Sequence, residues 1–159
     1  LLLLQRSLEF VAGCQPTPLP RRAQQKGACV LPTVLIVDDD QAIRETLRLV
    51  LEDAGYGVLE AGDGIAALEM LRDSEQSFVV LLDLVMSGVS GEDILHEVVI
   101  DPFLNGKHSY VLMTAAHKRL GSLLQRHMAM LAVPVLQKPF DLDQLLEVVA
   151  TAATKVIAV

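Results

Sequence analysis

The chain has no tryptophan and only two tyrosines and four phenylalanines among 159 residues. An interior built on aromatic rings is therefore excluded, and Leu, Val and Ala must fill it. Both cysteines, Cys14 and Cys29, lie in the first 32 residues, so the remainder cannot rest on a disulfide framework, which fits a cytoplasmic setting. No run approaches the ~18 apolar residues of a membrane span. Basic residues are also few. Net charge is −7, and because Arg6, Arg21, Arg22 and Lys26 outweigh Glu9, residues 33–159 carry −10. An acidic domain is poorly suited to direct contact with nucleic acid or an anionic membrane.

What is present is a globular composition, 52% hydrophobic, long enough for one domain with a sizeable core. The opening "LLLLQRSLEFVAGC" has a hint of a signal peptide, and "VAGC" resembles a lipoprotein cleavage box. Against export stand Arg6 and Glu9 inside the apolar stretch and the lack of a basic leader. The start at Leu1 without an initiator methionine fits a fragment, or the tail of something upstream. "LLLL" could end a coiled coil. "CQPTPLPRRAQQKGACVLP", with four prolines and no periodicity, reads as a linker. Residues 1–32 are expected to be a poorly ordered extension and residues 33–156 the folded domain.

From Thr33 short apolar runs alternate with helical periodicity. "TVLIV", "YGVLEA", "FVVLL", "SYVLMT" and "VPVLQ" read as five strands, the last at a sheet edge because of Pro134. Between them, Ile43, Leu47, Val50, Leu51 and Ala54 mark a helix stopped by Gly55. Ile65, Leu68 and Leu71 mark the buried face of a second helix, and "GEDILHEVV" is a third. His117 to Leu131 is expected to be a fourth, with Leu120, Leu123, Leu124, Met128 and Leu131 apolar. Asp141 opens a fifth, with Gln144 three residues on as a variant capping box and Leu142, Leu145, Leu146, Val149, Ala153 and Val156 as its buried stripe. The apolar end of that helix, "VVATAATKVIAV", suits either core packing or a pairing face. The pattern is (βα)5, an α/β doubly wound parallel sheet of the flavodoxin-like type with expected order 2-1-3-4-5. In that order the direction of winding switches between strands 1 and 3, and ligands bind at the carboxyl ends of the strands there.

Those ends carry the chemistry. Strand 1 runs into Asp38, Asp39 and Asp40, strand 3 into Asp83, strand 4 into Thr114 and strand 5 into Lys138. Clustered carboxylates repel one another, and a hard divalent cation such as Mg2+ removes the conflict. Such a site handles phosphoryl groups: a carboxylate can be the nucleophile, a lysine can pair with a phosphoryl oxygen and a hydroxyl can bond one. Each piece has a bland reading. Asp40 could simply cap a helix, Asp83 a turn, Thr114 could be a strand residue and Lys138 a surface lysine. Their convergence at one end of one sheet favours the site. The four histidines, His96, His108, His117 and His127, form no metal-ligand spacing; His96 and His127 read as solvent-facing. "AGDG" at 61–64 is a turn and not a phosphate loop, because no G-K-[ST] follows.

Taken in order, "VLIVDDDQAIRETL", "VVLLDLVMSGVSGEDIL", "VLMTA" and "VLQKPF" resemble the receiver domain of two-component response regulators over Thr33 to Lys155. The resemblance implies that Asp83 is the phosphoacceptor and that Asp38, Asp39, Asp83 and the Val85 backbone carbonyl hold Mg2+. It implies that Thr114 follows the phosphoryl group, that Lys138 is the lysine of the family's "KP" pair, and that Lys138–Pro139 is cis. It implies a sensor histidine kinase or a histidine phosphotransfer protein as donor, with the domain promoting its own phosphorylation and dephosphorylation and acting on no separate substrate. It also implies a switching face on helix 4, strand 5 and helix 5 that docks a second copy or an output domain. Two positions depart from the family. Ser87 stands where proline is usual, which is expected to loosen the loop. Val135 stands where Tyr or Phe is usual, so the ring that normally turns inward is absent. Two alternatives remain: a receiver-like interaction module that is not phosphorylated, and an Asp-nucleophile phosphatase using Asp38 and Asp40 as D-x-D. Ala42 and the lack of room for a cap weaken the second.

Overall fold

A computed structural model describes residues 31–115 and 120–157. The linker at 14–32, apart from its last two residues, the two cysteines, and the expected helical residue His117 lie outside that range. Five strands, β1 (Thr33–Val37), β2 (Val58–Ala61), β3 (Phe78–Asp83), β4 (Ser109–Ala115) and β5 (Val135–Lys138), alternate with five helices. These are α1 (Gln41–Asp53), α2 (Gly64–Asp73), α3 (Gly91–Ile100), α4 (Ser122–Leu131) and α5 (Leu142–Ile157). All strand pairs are parallel and the order is β2-β1-β3-β4-β5, as expected.

The period of two along each strand sorts its side chains between two cores. Val34, Ile36, Val79, Leu81, Val111 and Met113 pack under α1 and α5 against Leu47, Leu51, Leu145 and Val149. Leu35, Val37, Val80, Leu82 and Leu112 face α2, α3 and α4 through Ala67, Leu71, Ile94, Leu95 and Leu124. With both faces covered, the central strands must be apolar throughout, and all six residues of β3 are buried. Because α1 leaves β1 on one face and α3 leaves β3 on the other, the loops after these strands part and open a crevice.

Local chemistry sets the element ends. Asp40 caps α1 by accepting from the N–H groups of Ala42 and Ile43 at 2.9 and 3.4 Å. Gly55, at φ 92°, ends it. Ser90 and Asp93 close a reciprocal capping box on α3, which holds the Asp93 carboxyl below its usual range through the Ser90 hydroxyl. Asp141 and Gln144 form a reciprocal pair of capping bonds on α5, at 2.8 and 3.2 Å. The α5 apolar end packs inward through Val149, Ala152 and Ala153, while Thr151, Thr154 and Lys155 are exposed.

Several expectations need correction. α4 begins at Ser122 and not near His117, with Gly121 at its N-cap position. Ile65 is exposed, and Gly64, Ala67 and Leu71 form the buried face of α2. A Cβ on Gly64 would lie 2.5 Å from the Val89 carbonyl oxygen, so backbone rather than a large side chain fills that contact. Leu123 and Leu142 are exposed as well. His127 is not solvent-facing: it is buried in the α4 stripe with Leu124 and stacks obliquely on His96, ring centroids 5.2 Å apart. His108 is also buried. It accepts from the Phe78 N–H at 3.1 Å through Nδ1 and donates to the Leu71 carbonyl at 3.1 Å through Nε2. Burial pushes its pKa down to about 4.

Candidate functional site

The buried strands deliver four side chains to one end of the sheet. Asp83 is the last residue of β3 and Lys138 the last of β5; Thr114 is next to last in β4, and Asp38 directly follows β1. Lys138 Nζ lies 2.7 Å from Asp83 Oδ1 and 2.9 Å from Asp38 Oδ2. Both carboxylates are buried, so one ammonium bridges two charges that would otherwise repel each other out of water. Burial alone would push the lysine pKa down, but the hydrogen bonds it donates to Asp83 and Asp38 outweigh that and the net shift is upward. The second oxygen of each carboxylate is held by backbone. Asp38 Oδ1 accepts from the Asp40 N–H at 2.9 Å, and Asp83 Oδ2 from the Val85 N–H at 3.0 Å.

Asp39 is exposed and is held from the far side of the crevice. The Ser87 N–H and hydroxyl both donate to its Oδ2, at 2.9 and 3.1 Å. The Ser87 N–H, first among several contacts, holds the Asp39 carboxyl below its usual range. One oxygen each from Asp38, Asp39 and Asp83 lie within 4.8 Å of one another. Three hard oxygen donors at this spacing fit a Mg2+ ion that completes its shell with a carbonyl, water or phosphate oxygen. The Val85 side chain is half-exposed on the loop just after Asp83. Thr114 is buried, and its Oγ1 has no hydrogen-bond partner among the described residues. A buried unpaired hydroxyl is costly, so an orphan donor at this end of the sheet suits an incoming oxygen.

Asp40, by contrast, spends its carboxylate on capping α1 and stands outside the three-carboxylate cluster. That removes the basis for a D-x-D phosphatase site. The cis Lys138–Pro139 bond implied by the resemblance is present. Val135 is exposed on β5, where it borders a groove with Leu136, Gln144, Glu147 and Val148.

A family model described as the response regulator receiver domain matches residues 34–150. The chain belongs to the response regulator receiver family. Sporulation initiation phosphotransferase F of Bacillus subtilis is 32% identical over 117 residues, covering 73% of this chain and 89% of that one. Chemotaxis protein CheY-3 of Vibrio cholerae is 37% identical over 93 residues, covering 58% of this chain and 69% of its own. Among solved structures, a CheY-like receiver domain protein of Methanospirillum hungatei JF-1 superposes with a TM-score of 0.66 at 27% identity, covering 77% of this chain and 95% of that one.

The receiver domain holds features that sequence reasoning missed. Ser87 does not loosen its loop but ties it to Asp39. Its only signal was the departure from proline. Arg44 donates to the Asp38 carbonyl at 2.7 Å and pairs with Glu60 at 3.4 Å, bracing the turn after β1. Gly91 permits the close approach of α3 to the site: a Cβ there would lie 2.4 Å from the Asp83 carbonyl oxygen. Among the described residues no helix is long and apolar enough to cross a membrane.

Proposed function

We propose that this receiver domain, residues 33–156, is a phosphorylation-controlled signalling switch whose phosphoacceptor is Asp83. The observation that carries the reading is the convergence of Asp38, Asp39, Asp83, Lys138 and the Thr114 hydroxyl, which has no partner among the described residues, at the carboxyl end of one sheet. The donor is a phosphohistidine on a sensor kinase or phosphotransfer protein. An Asp83 oxygen attacks phosphorus, a P–O bond forms, the P–N bond breaks, and its electron pair returns to the imidazole. Asp38, Asp39, Asp83 and the Val85 carbonyl would hold Mg2+, which supplies charge neutralisation for the phosphoryl oxygens when bound.

The chain's own groups do the rest. Lys138 exchanges its bond to Asp83 for a phosphoryl oxygen and keeps its charge in place. Thr114 donates to another oxygen, and this draws the end of β4 inward. The α4–β5–α5 face then shifts between two states. The domain acts on no separate substrate, works in the cytoplasm, and passes the signal through that face to a second copy or an output domain. Val135 has no ring to report the movement of Thr114, which favours one second reading, an interaction module that is not phosphorylated.

Beryllofluoride with Mg2+ tests the site. Loading should shift the NMR signals of residues flanking Asp83 and Thr114, and Asp83→Asn should abolish the shift. Loading on Asp38 would sink the assignment, and no loading at all would favour the module.

A further inference from the structure

The bond between Ser87 and Asp39 joins two loops 48 residues apart in sequence. Those same two loops supply the proposed metal ligands, Asp38 and Asp39 from one side and Asp83 and the Val85 carbonyl from the other. Lys138 already bonds Asp38 and Asp83. Asp39 is exposed and has no bond to that ammonium, so Ser87 is what fixes it.

We propose that Ser87 is a positioning residue of the metal site: through Asp39 Oδ2 it clamps the third carboxylate and locks the β1–α1 loop to the β3–α3 loop before the ion arrives. The inference rests on reading Asp38, Asp39 and Asp83 as the Mg2+ site. An exposed aspartate must give up rotamer freedom when it ligates, and a site whose ligand is already fixed avoids that cost. Both Ser87 donors go to one oxygen, which leaves the other outside this contact. The donors do draw charge from the carboxylate and weaken it as a ligand. On this proposal the ion takes the other oxygen, so the clamp and the ion coexist, and the titration below weighs the ordering gain against this loss. A proline at 87, the usual residue of the family, has neither an N–H nor a hydroxyl to offer. This chain therefore holds the acidic pair in a way that the usual sequence cannot.

The test is calorimetric titration of Mg2+ into the full chain for wild type, Ser87→Ala, Ser87→Thr and Ser87→Pro, with Mn2+ binding followed by electron paramagnetic resonance as a second readout. Ser87→Ala loses the hydroxyl but keeps the backbone N–H to Asp39, and should weaken Mg2+ binding about threefold. Ser87→Pro should weaken it at least as much, and Ser87→Thr, which restores the hydroxyl, should return it to near the wild-type value. A merely structural role predicts that the variants lose stability in EDTA while Mg2+ affinity is unchanged. If wild type binds Mg2+ and Ser87→Pro, which lacks both donors, binds it equally or more tightly, the positioning role is overturned and the metal site stands. If wild type binds neither ion, the reading of the metal site itself fails.

Discussion

Replacing Lys138 with methionine keeps an unbranched stem but removes the ammonium between Asp38 and Asp83. The two carboxylates, buried at 2% and 7% exposure, would then face each other without a counter-charge. Each lost contact is a charge-assisted hydrogen bond, at 2.9 and 2.7 Å, and such bonds contribute about 1.5–3 kcal/mol. Stranding one partner of a buried pair costs about 3–5 kcal/mol. The Lys138 side chain is 23% exposed, so water screens part of this and about 3 kcal/mol is the expected loss. At about 4 °C per kcal/mol for a domain of this size, the midpoint should fall by about 12 °C. In EDTA, urea unfolding measures the free-energy loss and a thermal scan the midpoint, both followed by circular dichroism. Mg2+ should then recover more stability in the variant than it adds to wild type, because the ion no longer competes with a lysine. A variant within about 0.5 kcal/mol of wild type in EDTA, a difference typical of a surface change, would refute the claim that Lys138 compensates a buried charge conflict.

Thr114→Val swaps a buried hydroxyl, without a partner among the described residues, for a methyl of the same shape. The resting domain should gain about 1 kcal/mol in urea unfolding while beryllofluoride loading weakens. Gly91→Ala drives a Cβ against the Asp83 carbonyl and should cost about 1–3 kcal/mol while lowering the rate of phosphorylation by acetyl phosphate. His108 has a folded pKa of about 4, below the ordinary 6.5, so the unfolded chain binds the extra proton between those values and stability falls as pH drops through that window. Wild type should lose about 2 kcal/mol from this group between neutral pH and about pH 5, and His108→Gln should lose correspondingly less over the same range.

The strand order and the convergence of Asp38, Asp83, Thr114 and Lys138 were legible because they follow from a period of two, the helical spacing and the handedness of crossovers. These are long-range consequences of local pattern. The misses are contacts that pattern does not encode. Ile65 lies at helical spacing with Leu68 and Leu71, yet α2 approaches the Val89 backbone so closely at Gly64 that a glycine forms the contact and Ile65 turns outward. His127 was read by polarity, but it falls on the stripe that buries Leu124, and position decided against residue type. Leu123 and Leu142, apolar and exposed, are the converse. In sequence Ser87 shows only as a missing proline, because what it gains, two donors within reach of Asp39, depends on the distance between two loops.

Acceptance of a phosphoryl group by Asp83 leaves a covalent product that chemistry can trap. Incubation with acetyl phosphate and Mg2+, trapping with a borohydride, and mass spectrometry of the digested chain test it most directly. The modified residue should be Asp83, EDTA should prevent modification, and Asp83→Asn should abolish it. Modification at Asp38 or Asp39, or an unmodified chain in the presence of Mg2+ and an active kinase, would contradict that assignment.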